Sequence, residues 1–246
     1  MALAASTGRG ASRSSLSTAP YLTAVGRIGG GVGKGVVTRT NSGDAGRVIA
    51  ATAEQDRCAW ALAYYAGLRL GELRALRWGD VDEKAGVIHV QLSWDVVEGE
   101  IKPKSTAGVR DVPILAPLLP HLAAQRSSCA WSSDPEGLVL GASRRSPLGY
   151  NGLRGRSAAG FNAAGLKRVT LHEARHSFAS YLAASGIGIK DLTVILGHSS
   201  VTVSLDRYGH LFEAGKAQTA AQINAWFDSA DTQARLAQLG AAEGDS

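Results

Sequence analysis

The first acidic residue of the chain is Asp44, and the 43 residues before it are rich in Gly, Ser, Thr and Arg. Within this segment, residues 26–35 (GRIGGGVGKG) lack the helical or strand spacing of apolar residues that a packed core requires. We therefore expect a disordered or vestigial basic arm over residues 1–43. The fold should begin near Asp44, in a chain of which 45% is hydrophobic.

From residue 44 onward, helical and strand spacings alternate. Helices are predicted at 44–55, 57–66, 70–78, 115–126, 173–184, 189–196, 200–207 and 215–237. Short strands are predicted at 87–92, 95–97, 100–103 and 109–114, and a basic loop precedes residue 173. The pattern is typical of an α+β domain, mainly helical with one small antiparallel β-sheet. It would cover residues 44–240, and a short tail would follow at 241–246.

The charge of the chain is unevenly distributed. Residues 213–246 carry two bases and five acids, a balance of −3, so the first 212 residues carry +8 in a chain whose net charge is +5. Residues 142–176 hold seven bases and a single acid, Glu173. Such a stretch suits a polyanion such as nucleic acid, although a solubilising surface would have the same composition.

The cysteine and hydropathy patterns indicate the redox compartment of the protein and whether it crosses a membrane. Cys58 and Cys129 lie 71 positions apart, which gives neither a disulfide framework nor a CxxC metal knuckle. A reducing cytoplasm is therefore expected. Since no apolar run approaches ~18 residues, no membrane-spanning helix is predicted.

Six polar residues occupy positions that a plain core would not favour. They are Arg69 in AGLRLGELRALRW, Lys104 in KPKSTAGVRDVPI, His172 and Arg175 in TLHEARHSF, His198 in LGHSS, and Tyr208 in LDRYGH. One tyrosine with two arginines, two histidines and a lysine is a set suited to phosphoryl transfer. Guanidinium groups stabilise the charge that develops on phosphate oxygens, and the attacking and departing groups need a base and an acid.

These motifs, over residues 44–235, resemble the catalytic domain of the tyrosine recombinase (phage integrase) family. The GLR-x-GEL element, the lysine before a turn and a basic strand, the HxxR pair, and LGH followed ten residues later by Tyr occur in family order. The spacing of 26 residues between His172 and His198 is also similar to that of the family. The resemblance implies the DNA breaking-rejoining fold and a site-specific recombinase or integrase of a phage or other mobile element.

The resemblance also implies roles at the scissile phosphate of double-stranded DNA. Tyr208 would attack the phosphorus and form a 3′-phosphotyrosyl enzyme with a free 5′-hydroxyl. Arg69 and Arg175 would bind the non-bridging oxygens, and His198 would hydrogen-bond the phosphate.

Two further residues would move protons. His172 would assist proton transfer at the tyrosine, and Lys104 would protonate the departing 5′-oxygen. Because the adduct stores the bond energy, resealing would need neither ATP nor a metal, and no cofactor is implied. Recombination in this family proceeds through a tetramer on two DNA sites, and the helix at 215–237 would dock on a neighbouring protomer.

Four neighbouring polar residues are given supporting roles. His176 and His210 are expected to pack beside the site without acting in the chemistry. Glu72 and Asp206 are expected to be structural and to orient the arginines.

One motif favours a different chemistry. Residues 172–176 match HExxH, in which His172 and His176 could bind Zn²⁺ with Glu173 as base and His198 as a third ligand. Against this interpretation, Arg175 would place a cation within one turn of the metal, and no HxxGxxH extension follows. A zinc hydrolase would also leave the other motifs unexplained.

The start of the chain departs from the family pattern. Family members usually carry a helical core-binding domain before the catalytic one, and the two clamp DNA from opposite faces. Only about 43 residues precede the first predicted helix here. Because affinity for DNA grows with the number of phosphates neutralised, we expect weakened binding from a truncated chain. A non-catalytic DNA-binding remnant is the alternative function.

Overall fold

Helices form most of the described structure, and the strands form two small antiparallel sheets. The computed structural model describes residues 42–103 and 106–213, all within one structural unit. The helices are α1 (Ser42–Ala51), α2 (Arg57–Tyr65), α3 (Leu70–Ala75), α4 (Leu119–Ser128), α5 (Tyr150–Ala163), α6 (Leu171–Ala184), α7 (Ile189–Leu196) and α8 (Val201–Glu213). The strands are β1 (Val81–Asp82), β2 (Val87–Val90), β3 (Ser93–Asp95), β4 (Gly99–Ile101) and β5 (Arg110–Pro113). The predicted α+β class is confirmed.

Helix α2 lies at the centre of the core because its sequence is apolar on every side. All its residues from Cys58 to Tyr64 are buried, and helices α1, α3, α4 and α6 pack around it. Cys58 and Cys129 are both free thiols. None of the helices in the described part of the chain is long and apolar enough to cross a membrane.

The described strands form two small antiparallel sheets instead of the single sheet that was predicted. The first has the order β1-β2-β5, and the second is the β3-β4 hairpin, which lies against α3. In the first sheet Ile88 pairs with Val112 and Val90 pairs with Arg110, and all four residues are buried. Since alternate residues of a strand share a face, Arg110 points to the apolar side of this sheet.

The predicted strand at 95–97 was wrong. Strand β3 ends at Asp95, whose Oδ1 accepts hydrogen bonds from the backbone N–H groups of Val97 and Glu98 at 2.8 and 3.1 Å. This side-chain cap turns the chain over residues 96–98, so the hairpin forms two residues earlier than the apolar pattern indicated.

The basic loop predicted before residue 173 was also wrong, because it contains helix α5. Tertiary contacts hold this helix: Arg156 donates to both oxygens of Asp56 at 2.8 and 2.7 Å, and Trp60 donates to Ser157 at 2.8 Å. Helix α1 begins at Ser42 instead of residue 44. Most of the predicted arm, the helix at 215–237 and the tail lie outside the described residues.

Candidate active site

Tyr208 is buried on the inner face of α8, with 4% of its surface exposed. Ser204 lies one turn earlier on the same face and is fully buried. The ring of Tyr208 is parallel to that of His198, with an interplanar angle of 4° and centroids 6.2 Å apart. Burial raises the pKa of Tyr208 above 10, while the charges of Arg175 and Arg207 act in the opposite direction.

His198 follows the end of α7 and is fixed by a network of hydroxyl groups. Its Nδ1 lies 2.8 Å from Oγ of Ser204, which in turn lies 2.8 Å from Oγ1 of Thr193. Burial, together with the charges of Arg175 and Arg69, lowers the pKa of His198 from 6.5 to about 4. The imidazole is therefore neutral at pH 7 and can donate only one N–H.

The C-terminal end of α7 binds three arginines through three consecutive carbonyl groups. Arg110 donates to Ile195 O at 2.7 Å, Arg175 donates to Leu196 O, and Arg69 donates to Gly197 O at 2.8 Å. A helix leaves its last carbonyls without intrahelical partners and carries a partial negative charge at this end. The helix end therefore binds Arg69 at the start of α3, Arg110 of β5 and Arg175 of α6.

Arg69 and Arg110 share the carboxylate of Glu72. Arg69 caps α3, and its backbone N–H and Nη1 donate to Glu72 at 2.8 and 2.7 Å. Nη1 and Nη2 of Arg110 donate to the two oxygens of the same carboxylate, each at 2.9 Å. Glu72 thus holds Arg69 in place, as expected, and connects it to an arginine that was not predicted.

Arg175 is buried on α6, with 4% of its surface exposed. Besides Leu196 O, it donates to Gly67 O, two residues before Arg69 in the chain. Burial and the charge of Arg69 lower the pKa of Arg175 to about 9. The guanidinium remains charged at neutral pH, so three arginines face one carboxylate here, and the excess positive charge favours an anion.

His176 makes a direct hydrogen bond to the phenol of Tyr208. The distance from His176 Nδ1 to Tyr208 Oη is 2.7 Å, and His176 Nε2 lies 2.9 Å from Nε2 of His172. His172 and His176 are four residues apart on α6 and therefore share a face. A packing or supporting role beside the site was expected for His176, but its direct contact with Tyr208 was not foreseen.

An open cavity of about 360 Å³ lies beside Tyr208 and His176. Its lining includes Lys167, Arg168 and Arg207, so its walls are basic as well as apolar. The cavity leaves room beside the phenol of Tyr208. Its three basic side chains favour an anion there.

Five of the six predicted residues meet in this structure: Arg69, His172, Arg175, His198 and Tyr208. Lys104 lies outside the described residues. Asp206 and His210 are exposed on α8. Arg110 alternates with the apolar residues Val112 and Ile114, and this strand pattern could have predicted that its side chain is buried. No signal in the sequence distinguished His176 from His172 as the partner of Tyr208.

Among the described residues, no three His, Cys, Asp or Glu side chains are grouped as a metal site would require. The carboxylate of Glu173 instead caps α6, where it accepts hydrogen bonds from the backbone N–H and hydroxyl of Thr170 at 2.8 and 2.9 Å. This arrangement gives no support to the zinc hydrolase.

Comparison with known proteins gives a family match over most of the chain. A model of the phage integrase family matches residues 41–214. The prophage integrase IntR of Escherichia coli K12 is 27% identical over 192 residues, which cover 70% of this chain and 47% of that protein. A XerC-like tyrosine recombinase of Caldanaerobacter subterraneus is 27% identical over 188 residues, covering 68% and 48%. The chain spans about half the length of these relatives.

A solved structure has the same fold. The Tn1549 transposon integrase, in complex with circular intermediate DNA, superposes with a TM-score of 0.61 at 23% identity, covering 74% of this chain and 66% of that one. The family match, the shared fold and the grouped residues agree with one another. The chain belongs to the phage integrase family.

Proposed function

We propose that the chain is the catalytic domain of a site-specific recombinase that cuts and rejoins DNA strands through a 3′-phosphotyrosyl intermediate. The observation that carries this proposal is that Arg69, Arg175 and neutral His198 gather at the end of α7, where the His198 ring lies parallel to that of buried Tyr208 and the charges of both arginines act on the phenol. Family membership and the excess positive charge of the site support it.

In the cleavage step, the oxygen of Tyr208 forms a bond to phosphorus as the bond from phosphorus to the 5′-oxygen breaks. The phenol proton passes to an imidazole, and the departing oxygen takes a proton and leaves as a 5′-hydroxyl. Arg69 and Arg175 stabilise the negative charge on the non-bridging oxygens. Ser204 engages Nδ1 of His198, so Nε2 of His198 is the nitrogen that would donate to the phosphate.

Lys104 is assigned the role of general acid on the family resemblance alone.

In the resealing step, a 5′-hydroxyl attacks the phosphotyrosine, and the phenol leaves and recovers its proton. The number of phosphodiester bonds is unchanged, so the exchange needs no nucleotide hydrolysis.

We further propose that the substrate is double-stranded DNA and that strand exchange takes place in a tetramer. The Tn1549 transposon integrase, which shares the fold, was solved in complex with DNA. The acidic residues 213–246 would meet a basic neighbouring protomer. Since bacterial and prophage DNA lies in the cytoplasm, we expect the chain to act there.

Covalent trapping on DNA tests this function. The chain is incubated with a pool of nicked duplexes containing a randomised segment, so that the target need not be known. Cleavage near the nick releases a short oligonucleotide, and the lost strand prevents resealing. We expect a protein–DNA adduct on a denaturing gel for the native chain and none for Tyr208→Phe.

Tyr65→Phe is the control, since Tyr65 is a half-buried tyrosine that lies on α2. It should form adduct at the native rate. If the native chain retards DNA in a gel shift and forms no adduct at all, the chain is a DNA-binding remnant and the catalytic proposal is wrong.

A further inference from the structure

Three side chains form a continuous hydrogen-bonded row from the inside of the site to its surface. Tyr208 Oη lies 2.7 Å from His176 Nδ1, and His176 Nε2 lies 2.9 Å from His172 Nε2. Exposure increases along the row: Tyr208 is buried, His176 is half-buried and His172 is exposed. The row therefore joins the buried hydroxyl to solvent.

The packing of α6 against α8 determines which histidine meets the tyrosine. The two imidazole rings cross edge to face, with centroids 4.4 Å apart and an angle of 80°. His176 lies between the other two side chains and contacts both. His172 reaches Tyr208 in this row only through His176.

The hydrogen atoms in the row can be assigned if both imidazoles are neutral. A neutral imidazole has one donor nitrogen and one acceptor nitrogen. When the Tyr208 hydroxyl donates to Nδ1 of His176, the hydrogen of His176 is on Nε2. That nitrogen then donates to Nε2 of His172, whose own hydrogen is on Nδ1.

The charges around the row favour this neutral state. Burial lowers the pKa of His176, and the pKa of His172 is lowered by burial and by Arg207. Arg175 lowers both pKa values as well, whereas Glu173 acts in the opposite direction. From α8 and α6, positive charge therefore outweighs negative charge around the two imidazoles.

We propose, on the basis of the function proposed above, that His176 is the base that accepts the proton of Tyr208. As the tyrosine oxygen bonds to phosphorus, its proton moves to Nδ1 of His176, and the hydrogen on Nε2 of His176 moves to Nε2 of His172. His176 ends neutral, and His172 ends as an imidazolium that releases its proton to solvent. Resealing runs the same transfers backward and returns the proton to the phenol.

Replacement of His176 by asparagine separates proton transfer from positioning. The amide oxygen of His176→Asn can accept the phenol hydrogen bond in place of Nδ1, but an amide cannot carry the proton away. We expect adduct formation at pH 7 to slow by about 10²-fold or more. The defect should shrink by about tenfold per pH unit as the phenol ionises without a base.

Two further variants complete the comparison. His172→Ala should lose less activity than His176→Asn, since water can take the proton from Nε2 of His176. His121→Asn is the matched control, because His121 on α4 is also half-buried and burial likewise lowers its pKa. It should react at the native rate, and thermal unfolding verifies that each variant is folded.

Two results would overturn the proposal: a His176→Asn variant within about threefold of the native rate across the pH range, or a His172→Ala variant that is the slower of the two. Nitrogen NMR of the ring atoms in DNA-free protein gives a readout that does not depend on activity. It should show the His176 hydrogen on Nε2, and a hydrogen on Nδ1 would contradict the assignment. If the native chain forms no adduct, the recombinase function fails, and the NMR result alone decides the proton arrangement.

Discussion

Glu72 is a buried carboxylate on which two arginines converge. Burial alone would raise its pKa, but the hydrogen bonds and charge of Arg110, with the charges of Arg69 and Arg175, lower the pKa from 4.5 to about 2. Removing one partner of such a buried pair leaves an uncompensated charge, which costs about 3–5 kcal/mol. The carboxylate therefore contributes to the fold as well as to the orientation of Arg69.

The lowered pKa predicts a specific acid sensitivity. Between pH 4.5 and about 2 the unfolded chain binds a proton at Glu72 that the folded chain does not bind, so stability falls as the pH falls. Over the whole interval this loss is on the order of 3 kcal/mol. In urea unfolding, Glu72→Gln should be less stable at pH 7 and should lose less stability than the native chain between pH 5 and pH 3.

The exposed carboxylate of Glu83, which pairs with Arg126 at 2.8 Å, provides the control. Surface pairs contribute little, so Glu83→Gln should follow the native pH dependence. Equal pH slopes for Glu72→Gln and the native chain would show that Glu72 is not the responsible group.

At the scale of elements, the end of α7 organises the arginines, and Gly197 makes this geometry possible. Gly197 has a φ of 63°, in the left-handed region that ends many helices. A Cβ at this position would lie 2.9 Å from Ala107 O and 2.9 Å from Nη1 of Arg110. Any larger residue would therefore displace the arginine that is paired with Glu72.

Gly197→Ala should destabilise the chain more than Gly86→Ala. Gly86 has a φ of 69°, but a Cβ added there would meet nothing within 4 Å, so its alanine variant incurs only the backbone strain, about 1–2 kcal/mol. Gly197→Ala incurs the same strain and also displaces Arg110. Urea unfolding measures the difference, and equal losses for the two variants would mean that the close approach to Arg110 is unimportant.

The elements also show where sequence patterns were informative. Helices α2 and α7 have clear apolar faces, and both were predicted within one residue. Helix α5 contains three glycines and little apolar periodicity, so its local preference for helix is weak. Its packing explains one of them, because a Cβ on Gly160 would lie 2.1 Å from Ala51 O. Whether such a segment forms a helix depends on contacts with distant segments. The spacing of apolar residues along the sequence does not show those contacts.

At the scale of the whole molecule, the structure refines the picture of the basic stretch at residues 142–176. Of the seven bases in residues 142–176, Arg144 pairs with Asp134, Arg156 pairs with Asp56, and Arg175 is buried in the site. Arg144 and Arg156 are exposed despite their pairing, and so are the other four, Arg145, Arg154, Lys167 and Arg168. The total charge was readable from the sequence, but which bases pair with an acid and which one is buried could be known only from the fold.

The exposed bases predict a salt dependence for DNA binding. Each phosphate contact contributes about 0.9 to the slope of log affinity against log salt concentration. The double variant Lys167→Ala with Arg168→Ala, beside the cavity at Tyr208, should therefore reduce the slope by about 2. Fluorescence anisotropy with labelled duplex DNA at several salt concentrations measures it. Lys84→Ala, exposed in the β1–β2 turn, should leave the slope unchanged, and an unchanged slope in the double variant would place DNA elsewhere.

The three hydrogen bonds to the end of α7 join residues 128, 85 and 21 positions apart in the chain. The three guanidinium groups thus close the tertiary structure, and in the proposed mechanism those of Arg69 and Arg175 also bind the phosphate. Under mutational drift without selection for recombination, loss of an arginine would still destabilise the fold. The tyrosine hydroxyl and the exposed imidazole of His172 could disappear at little cost to stability. Inactive descendants of such a chain would therefore keep their arginines and differ first at Tyr208 and His172.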